Sequence, residues 1–258
     1  MGEALVAGLL AAGWDAESLS VAETDPDRRR VIEAAFPGVR VVPSAAWAAP
    51  EAQVVVVAVK PDDVAGVLES TAPVLADGVL VLSIAAGVTL ATLEALVPGR
   101  AVVRAMPNTP ALVREGAAAI AGGTHATGAD LDLAERILTA VGVVVRVPER
   151  HLDAVTGLSG SGPAYVFLLA EALIEAGVLV GLTRDTARTL VTQTLLGSAR
   201  LLAAGDDHPE TLRAAVTSPG GTTAAGLAAL ERSGVRAAVL DAVQAATERS
   251  RTLGRPAT

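Results

Sequence analysis

Cysteine is absent from the 258 residues, which excludes disulfides, thiolate catalysis and zinc held by cysteine, and suits an ordinary reducing cytoplasm. Lysine occurs once, at Lys60, among 20 basic side chains. The three histidines, His125, His151 and His208, are too scattered to form a ligand cluster, so no metal site is expected. Aromatic residues make up 2% of the chain against 51% hydrophobic residues, much of it alanine; helices packed closely on small side chains are expected, not aromatic clusters. An excess of positive charge is lacking too. With a net charge of -8 there is no basic face for nucleic acid or an anionic membrane, and neither is an expected partner. The richest apolar stretch, AYVFLLAEALIEAGVLVGL, is cut by Glu171 and Glu175, so no run is expected to span a membrane and a soluble protein is expected. Residues 4–13 are apolar, but Glu3 stands where an export signal carries positive charge.

What is present has two rhythms. Up to about residue 147, helical patterns such as 26–35, 61–75 and 130–141 alternate with β-branched runs at 19–23, 53–59, 79–83, 101–105, 117–121 and 142–147. Continuous runs such as VVVVAV, without alternation, read as strands buried on both faces, which predicts a parallel sheet covered by helices on each side. Beyond His151 the strand signals stop, and helices are expected at 152–180, 184–204, 209–216, 222–231 and 235–251. The chain therefore reads as an α/β, Rossmann-like doubly wound domain over residues 1–150, followed by an all-helical domain over 151–258.

In such sheets ligands sit beyond the carboxyl ends of the strands. Three exits stand out. AVKP (Ala58, Val59, Lys60, Pro61) follows the valine run, and its plain alternative is a solvated helix start with proline in the first turn. SIAAGV, with Ala85 and Gly87, is small enough for a flat ligand to approach the backbone. RAMPNTP holds Asn108 between two prolines, either as an ordinary turn or as an amide aimed at a ligand. A fourth stretch, AAVTSPGGTTAAGLAALE, interrupts two apolar helical patterns with Ser218, Pro219, Gly220, Gly221, Thr222 and Thr223. The glycines permit a tight turn, and the helix opening after it offers free N–H groups and a positive dipole end to a carboxylate. Simple N-capping accounts for one hydroxyl there, less easily for two glycines and three hydroxyls together.

In order along the chain, MGEAL, AVKP, SIAAGV, RAMPNTP, SGSGPAYVF and VTSPGGTTAAGLAALE resemble the motifs of the pyrroline-5-carboxylate reductase family, the last being that family's signature segment. The resemblance implies an NADPH- or NADH-dependent reduction of the cyclic imine 1-pyrroline-5-carboxylate to L-proline. It implies that Gly2, Ala58, Val59, Lys60, Pro61, Ala85, Gly87 and Asn108 line the cofactor side. Ser218, Gly220, Gly221, Thr222 and Thr223 would receive the substrate, with Thr223 hydrogen-bonded to the ring nitrogen as the catalytic residue. An intertwined homodimer, or an oligomer of such dimers, is implied as well.

Where the family has a strand followed by Gly-x-Gly-x-Met-Gly or Ala, this sequence begins at the methionine, so Gly2 matches only the last small residue, and the first strand and two earlier glycines are expected to be missing from the sheet. Cofactor preference stays open: Glu23 suits a ribose 2′-hydroxyl, whereas Arg28, Arg29 and Arg30 suit a 2′-phosphate. Two other classes compete. A β-hydroxyacid dehydrogenase shares the domain order but needs a lysine in its helical domain, and none follows Lys60. The second is a dimeric dinucleotide-binding scaffold with impaired catalysis.

Overall fold

The computed structural model describes residues 1–254. Its elements run in the order α1 (Gly2–Ala11), β1 (Ser20–Ala22), α2 (Pro26–Ala35), β2 (Arg40–Val42), α3 (Ala45–Ala48), β3 (Val54–Val57), α4 (Val64–Thr71), β4 (Leu80–Ser83), α5 (Leu90–Leu96), β5 (Ala101–Met106), β6 (Gly116–Gly122), α6 (Gly128–Thr139) and β7 (Gly142–Arg146). From there the described chain is helical: α7 (Leu152–Val155), α8 (Gly162–Leu179), α9 (Arg184–Ala204), α10 (Pro209–Ala215), α11 (Thr222–Arg232) and α12 (Val235–Leu253). Its contacts divide it into two compact units, Met1–Ser161 with the chain from Gln244 onward, and Gly162–Val243. Leu152 of α7 is fully buried in the core of the first unit, and Ser250 of α12 donates to Asp153 at 2.7 Å within it.

The six strands expected from β-branched runs all form in the first unit, joined by the three-residue β2. They make two ladders. β1 pairs in parallel with β2, and β3, β4, β5, β6 and β7 lie in that order in a second sheet, with β1 and β3 unpaired to each other. The valine run at β3 accordingly differs from expectation: only Val57 is buried, and Val54, Val55 and Val56 are half-buried, because β3 is an edge strand of the five-stranded sheet. The central β4 is buried at all four positions.

The sheet is also not wholly parallel. β3, β4 and β5 run parallel, but β6 runs antiparallel to β5, with Ala105 opposite Ile120, and β7 is parallel to β6. Residues 107–115 hold only a 3-10 turn (Thr109–Val113) and a left-handed Arg114 (φ 61°), too short for the crossover that a parallel return needs. The longer α6 connection restores parallel pairing next door. Alternation along the strands divides the core between two faces. Leu80, Leu82, Val103 and Ala105 meet Leu5 and Leu9 of α1 and Ile137 and Leu138 of α6. Val57, Val81 and Val102 meet Val64 and Leu68 of α4, Leu93 of α5 and Leu152 of α7.

In the second unit α8 is followed by Gly181 (φ 102°), whose conformation suits a residue without Cβ, and Thr183 caps α9 through Thr186 N–H at 3.2 Å. The two helices approach so closely at Gly177 that a Cβ there would lie 2.9 Å from that of Ala187, in keeping with packing on small side chains. Among the described residues of this unit only Ala187 is buried. Phe167 and Leu168 are 67% and 66% exposed. The expectation about membrane-spanning length is corrected here. The helical run Glu149–Leu179 has a mean hydropathy of 1.5 and is long and apolar enough to cross a bilayer, since two glutamates do not outweigh its Leu, Val and Ala.

Candidate active site

The residues expected on the cofactor side all lie in the first unit. Met1 gives α1 no side-chain cap, so the first-turn N–H groups are open to an anion, and the lack of a Cβ on Gly2 leaves room against Ala58: a Cβ there would sit 3.4 Å from that of Ala58. Gly2 and Ala58 are thus brought together. Ala58, Val59, Lys60 and Pro61 leave β3 as an exposed segment, and Pro61 opens the 3-10 turn Pro61–Asp63. These residues fit a dinucleotide: an uncapped helix start, a glycine against the neighbouring strand exit, and a cationic Lys60 in the open.

The exit of β4 is tighter. Ser83 is buried and accepts from Ala85 N–H at 3.3 Å, with Ala85 4% exposed. Gly87 adopts φ 78°, and a Cβ on it would meet Leu253 of α12 at 3.9 Å, so one side of this loop is already covered by the chain itself. Asn108 is not an idle turn residue. Its Oδ1 accepts from Ala117 N–H at 2.8 Å and its Nδ2 donates to the Ser159 carbonyl at 3.1 Å. It thereby ties the β5 exit to β6 and to the π-helical turn Thr156–Gly160, where a Cβ on Gly160 would come within 2.6 Å of the Met106 methyl. The SGSG segment is where the long helix departs from α geometry, with Ser161 N–H bonded to the Thr156 carbonyl at 2.8 Å.

The residues expected to receive the substrate lie in the second unit. Ser218, Pro219, Gly220 and Gly221 form a tight turn closed by Gly221 N–H to the Ser218 carbonyl at 3.0 Å, with Gly220 at φ 70°. Proline second and a positive-φ glycine third are the type II pattern. Gly221 is the N-cap of the 11-residue α11 and provides no side-chain cap; no hydroxyl of the segment serves as one. Thr222 and Thr223 are exposed in its first turn. The result is an anion-accepting helix end with two hydroxyls beside it.

Arg104, within RAMPNTP, was not singled out as a functional residue by sequence reasoning. It is 6% exposed on β5 and donates to Glu149 Oε1 at 3.0 Å, the same oxygen that accepts from Leu90 N–H at 2.6 Å. With Thr89, Arg150, Asp153, Arg251 and Gly254 it lines a cleft of about 330 Å³. The signal was an arginine inside a strand that otherwise reads as fully apolar. Elsewhere, on β7, hydrogen bonds to Asp132 and then Glu135 raise the pKa of Arg146 above its ordinary value.

Comparison with known proteins bears on both sets of residues. A family model described as pyrroline-5-carboxylate reductase dimerisation matches residues 149–253, and one described as NADP oxidoreductase, coenzyme F420-dependent, matches residues 1–87. The pyrroline-5-carboxylate reductase of Synechocystis is 46% identical over 99% of this chain and 95% of its own length, and that of Mycobacterium tuberculosis is 46% identical over 98% and 93%. Among solved structures, a pyrroline-5-carboxylate reductase from Coxiella burnetii superposes with a TM-score of 0.95 at 38% identity, covering 99% of this chain and 95% of its own. The Plasmodium falciparum pyrroline carboxylate reductase with NADP bound gives 0.86 at 33% identity over the same shares. With relatives this similar along nearly its whole length, the chain belongs to the pyrroline-5-carboxylate reductase family.

Proposed function

We propose that the chain reduces 1-pyrroline-5-carboxylate to L-proline with NADPH or NADH, with residues 1–150 holding the cofactor and residues 151–258 holding the substrate and the partner of a homodimer. The observation that carries the substrate side is the uncapped start of α11 behind the Pro219-Gly220-Gly221 turn. Its open N–H groups neutralise the substrate carboxylate through hydrogen bonds and the helix dipole. The Thr223 hydroxyl bonds the ring nitrogen, and Ser218 and Thr222 complete the polar wall. On the cofactor side, Gly2 and the Ala58–Pro61 segment receive the dinucleotide, Ala85 and Gly87 form its smooth wall, and Asn108 fixes the β5 exit.

The lack of a strong acid or base among these residues suits the chemistry. When bound, the reduced nicotinamide supplies the hydride to the imine carbon. A protonated imine is already electrophilic, so the protein's work is orientation and exclusion of water more than proton transfer. A neutral hydroxyl at Thr223 holds the nitrogen in line and stays bonded to it as it becomes the amine of proline.

The apolar, exposed helices of the second unit are covered by the second copy, and dimers associate further into an oligomer of dimers. The enzyme works in the cytoplasm, and Glu149–Leu179 is a dimer helix, not a membrane span.

The test is turnover of 1-pyrroline-5-carboxylate by the purified chain, followed as loss of nicotinamide absorbance with NADPH and NADH in parallel. Thr223→Ala should lower kcat by about 10- to 100-fold, one hydrogen bond made more strongly in the transition state, and Thr223→Ser should restore most of it. A folded dimer that turns over neither cofactor favours the impaired scaffold instead.

A further inference from the structure

The exit of β1 carries an arrangement that the proposed function leaves unused. Glu23 directly follows this strand, its N–H still bonded to β2 through the Val42 carbonyl at 3.0 Å. An acidic residue at this place suits a ribose 2′-hydroxyl, and basic residues just beyond it suit a 2′-phosphate. The chain has both, Glu23 followed by Arg28, Arg29 and Arg30. Which of them is free to act is a question of hydrogen bonds.

None of the three arginines is idle. Arg28 is ion-paired with Glu3 in the first turn of α1, and Arg30 with Asp27. Arg29 folds back and donates from Nη1 to the carbonyls of Glu23 and Thr24, both at 2.8 Å. The start of α2, which could otherwise bind a phosphate, is occupied as well. Asp25 Oδ1 accepts from Asp27 N–H at 2.8 Å and Arg28 N–H at 3.4 Å, Pro26 has no N–H, and Asp25 N–H donates to Glu23 Oε1 at 3.0 Å. Four carboxylates, Glu3, Glu23, Asp25 and Asp27, therefore meet three guanidinium groups, and the helix dipole is already answered by Asp25. Glu23 Oε2 has no hydrogen-bond donor among the described residues, which leaves it open to a ligand hydroxyl.

We propose that this strand exit selects the unphosphorylated dinucleotide: Glu23 accepts from the 2′-hydroxyl, while the Glu3–Arg28 pair and the Asp25 cap withhold the cation and the N–H groups that a 2′-phosphate needs. The inference rests on the dinucleotide-binding role of residues 1–150. A dianionic phosphate placed here meets uncompensated carboxylates. To bind, it must first break the Glu3–Arg28 pair.

Direct binding tests this without catalysis. Fluorescence titration of the purified chain should give a Kd for NADH at least about tenfold below that for NADPH, and AMP should compete better than 2′-AMP. Glu23→Ser should bring the two Kd values within about threefold, chiefly by weakening NADH. Glu3→Gln should free Arg28 and tighten NADPH by about threefold to tenfold more than NADH, an effect that fades at high salt. Tighter binding of NADPH than NADH by the unaltered chain overturns this inference alone. Binding of neither overturns the cofactor role of residues 1–150 along with it.

Discussion

Asn108 shows how a residue that reads as a ligand contact also works as a brace. Its amide joins Ala117 N–H on one side to the Ser159 carbonyl on the other, so the β5 exit, β6 and the π turn move together. Asn108→Ala leaves a strand-end N–H without its acceptor, and urea unfolding should show a loss of about 1–3 kcal/mol. Asn108→Asp keeps the acceptor for Ala117 and loses the donor to Ser159, so it should cost less stability than alanine yet still lower turnover if the brace sets the site's geometry. Equal losses from both would place the whole effect at Ser159. That the amide belonged to a rigid turn was legible from its two flanking prolines. Its partners were not, because Ser159 lies far along the chain and no local pattern links the two.

Elements show the same division between what patterns reveal and what pairing decides. The β-branched runs marked six strands, and the strand-free sequence after His151 marked the helical remainder, because strands in a covered sheet leave continuous apolar runs and helices leave a period of 3.6. The three-residue β2 left too short a trace. The reversal at β6 left none in the strand itself: Ala117–Ile120 would look the same in either direction, and the short 107–115 connection decides it. The linkage through Glu149 belongs here as well. One carboxylate oxygen receives Leu90 N–H at the start of α5 and the guanidinium of the buried Arg104 on β5, fastening the segment that leads into α7 onto the sheet. Glu149→Ala should cost about 2–3 kcal/mol in denaturant unfolding, less than the loss of a fully buried pair because the Glu149 side chain is 33% exposed. Combining Glu149→Gln with Arg104→Met should recover part of that loss, and a double-mutant cycle reads the coupling between them. A Glu149→Ala chain as stable as the parent would mean that Arg104 finds solvent through the cleft beside it.

The whole molecule is governed by how little the second unit buries by itself. Phe167, Leu168, Leu179, Val180, Leu201 and Leu240 are each at least 66% exposed, far more apolar surface than an isolated helical unit tolerates in water. The charge on Glu171 and Glu175 disguised this in the sequence as a limit on hydrophobic length, whereas the helical run Glu149–Leu179 has bilayer-spanning length and hydropathy and lies within the matched dimerisation segment. Two surroundings can cover such a face, a second copy or a lipid bilayer, and they predict different physical behaviour. For a dimer, light scattering should give at least twice the 25.8 kDa chain mass without detergent, and thermal unfolding should shift upward with protein concentration because folding and association are linked. Phe167→Asp places a charge on the exposed face of α8. It should shift the chain toward a less stable monomer and reduce turnover in proportion, with activity regained on raising the protein concentration. A chain that floats with neutral phosphatidylcholine vesicles and stays monomeric in their absence would instead assign the face to lipid. The match of residues 149–253 to a dimerisation family favours the second copy.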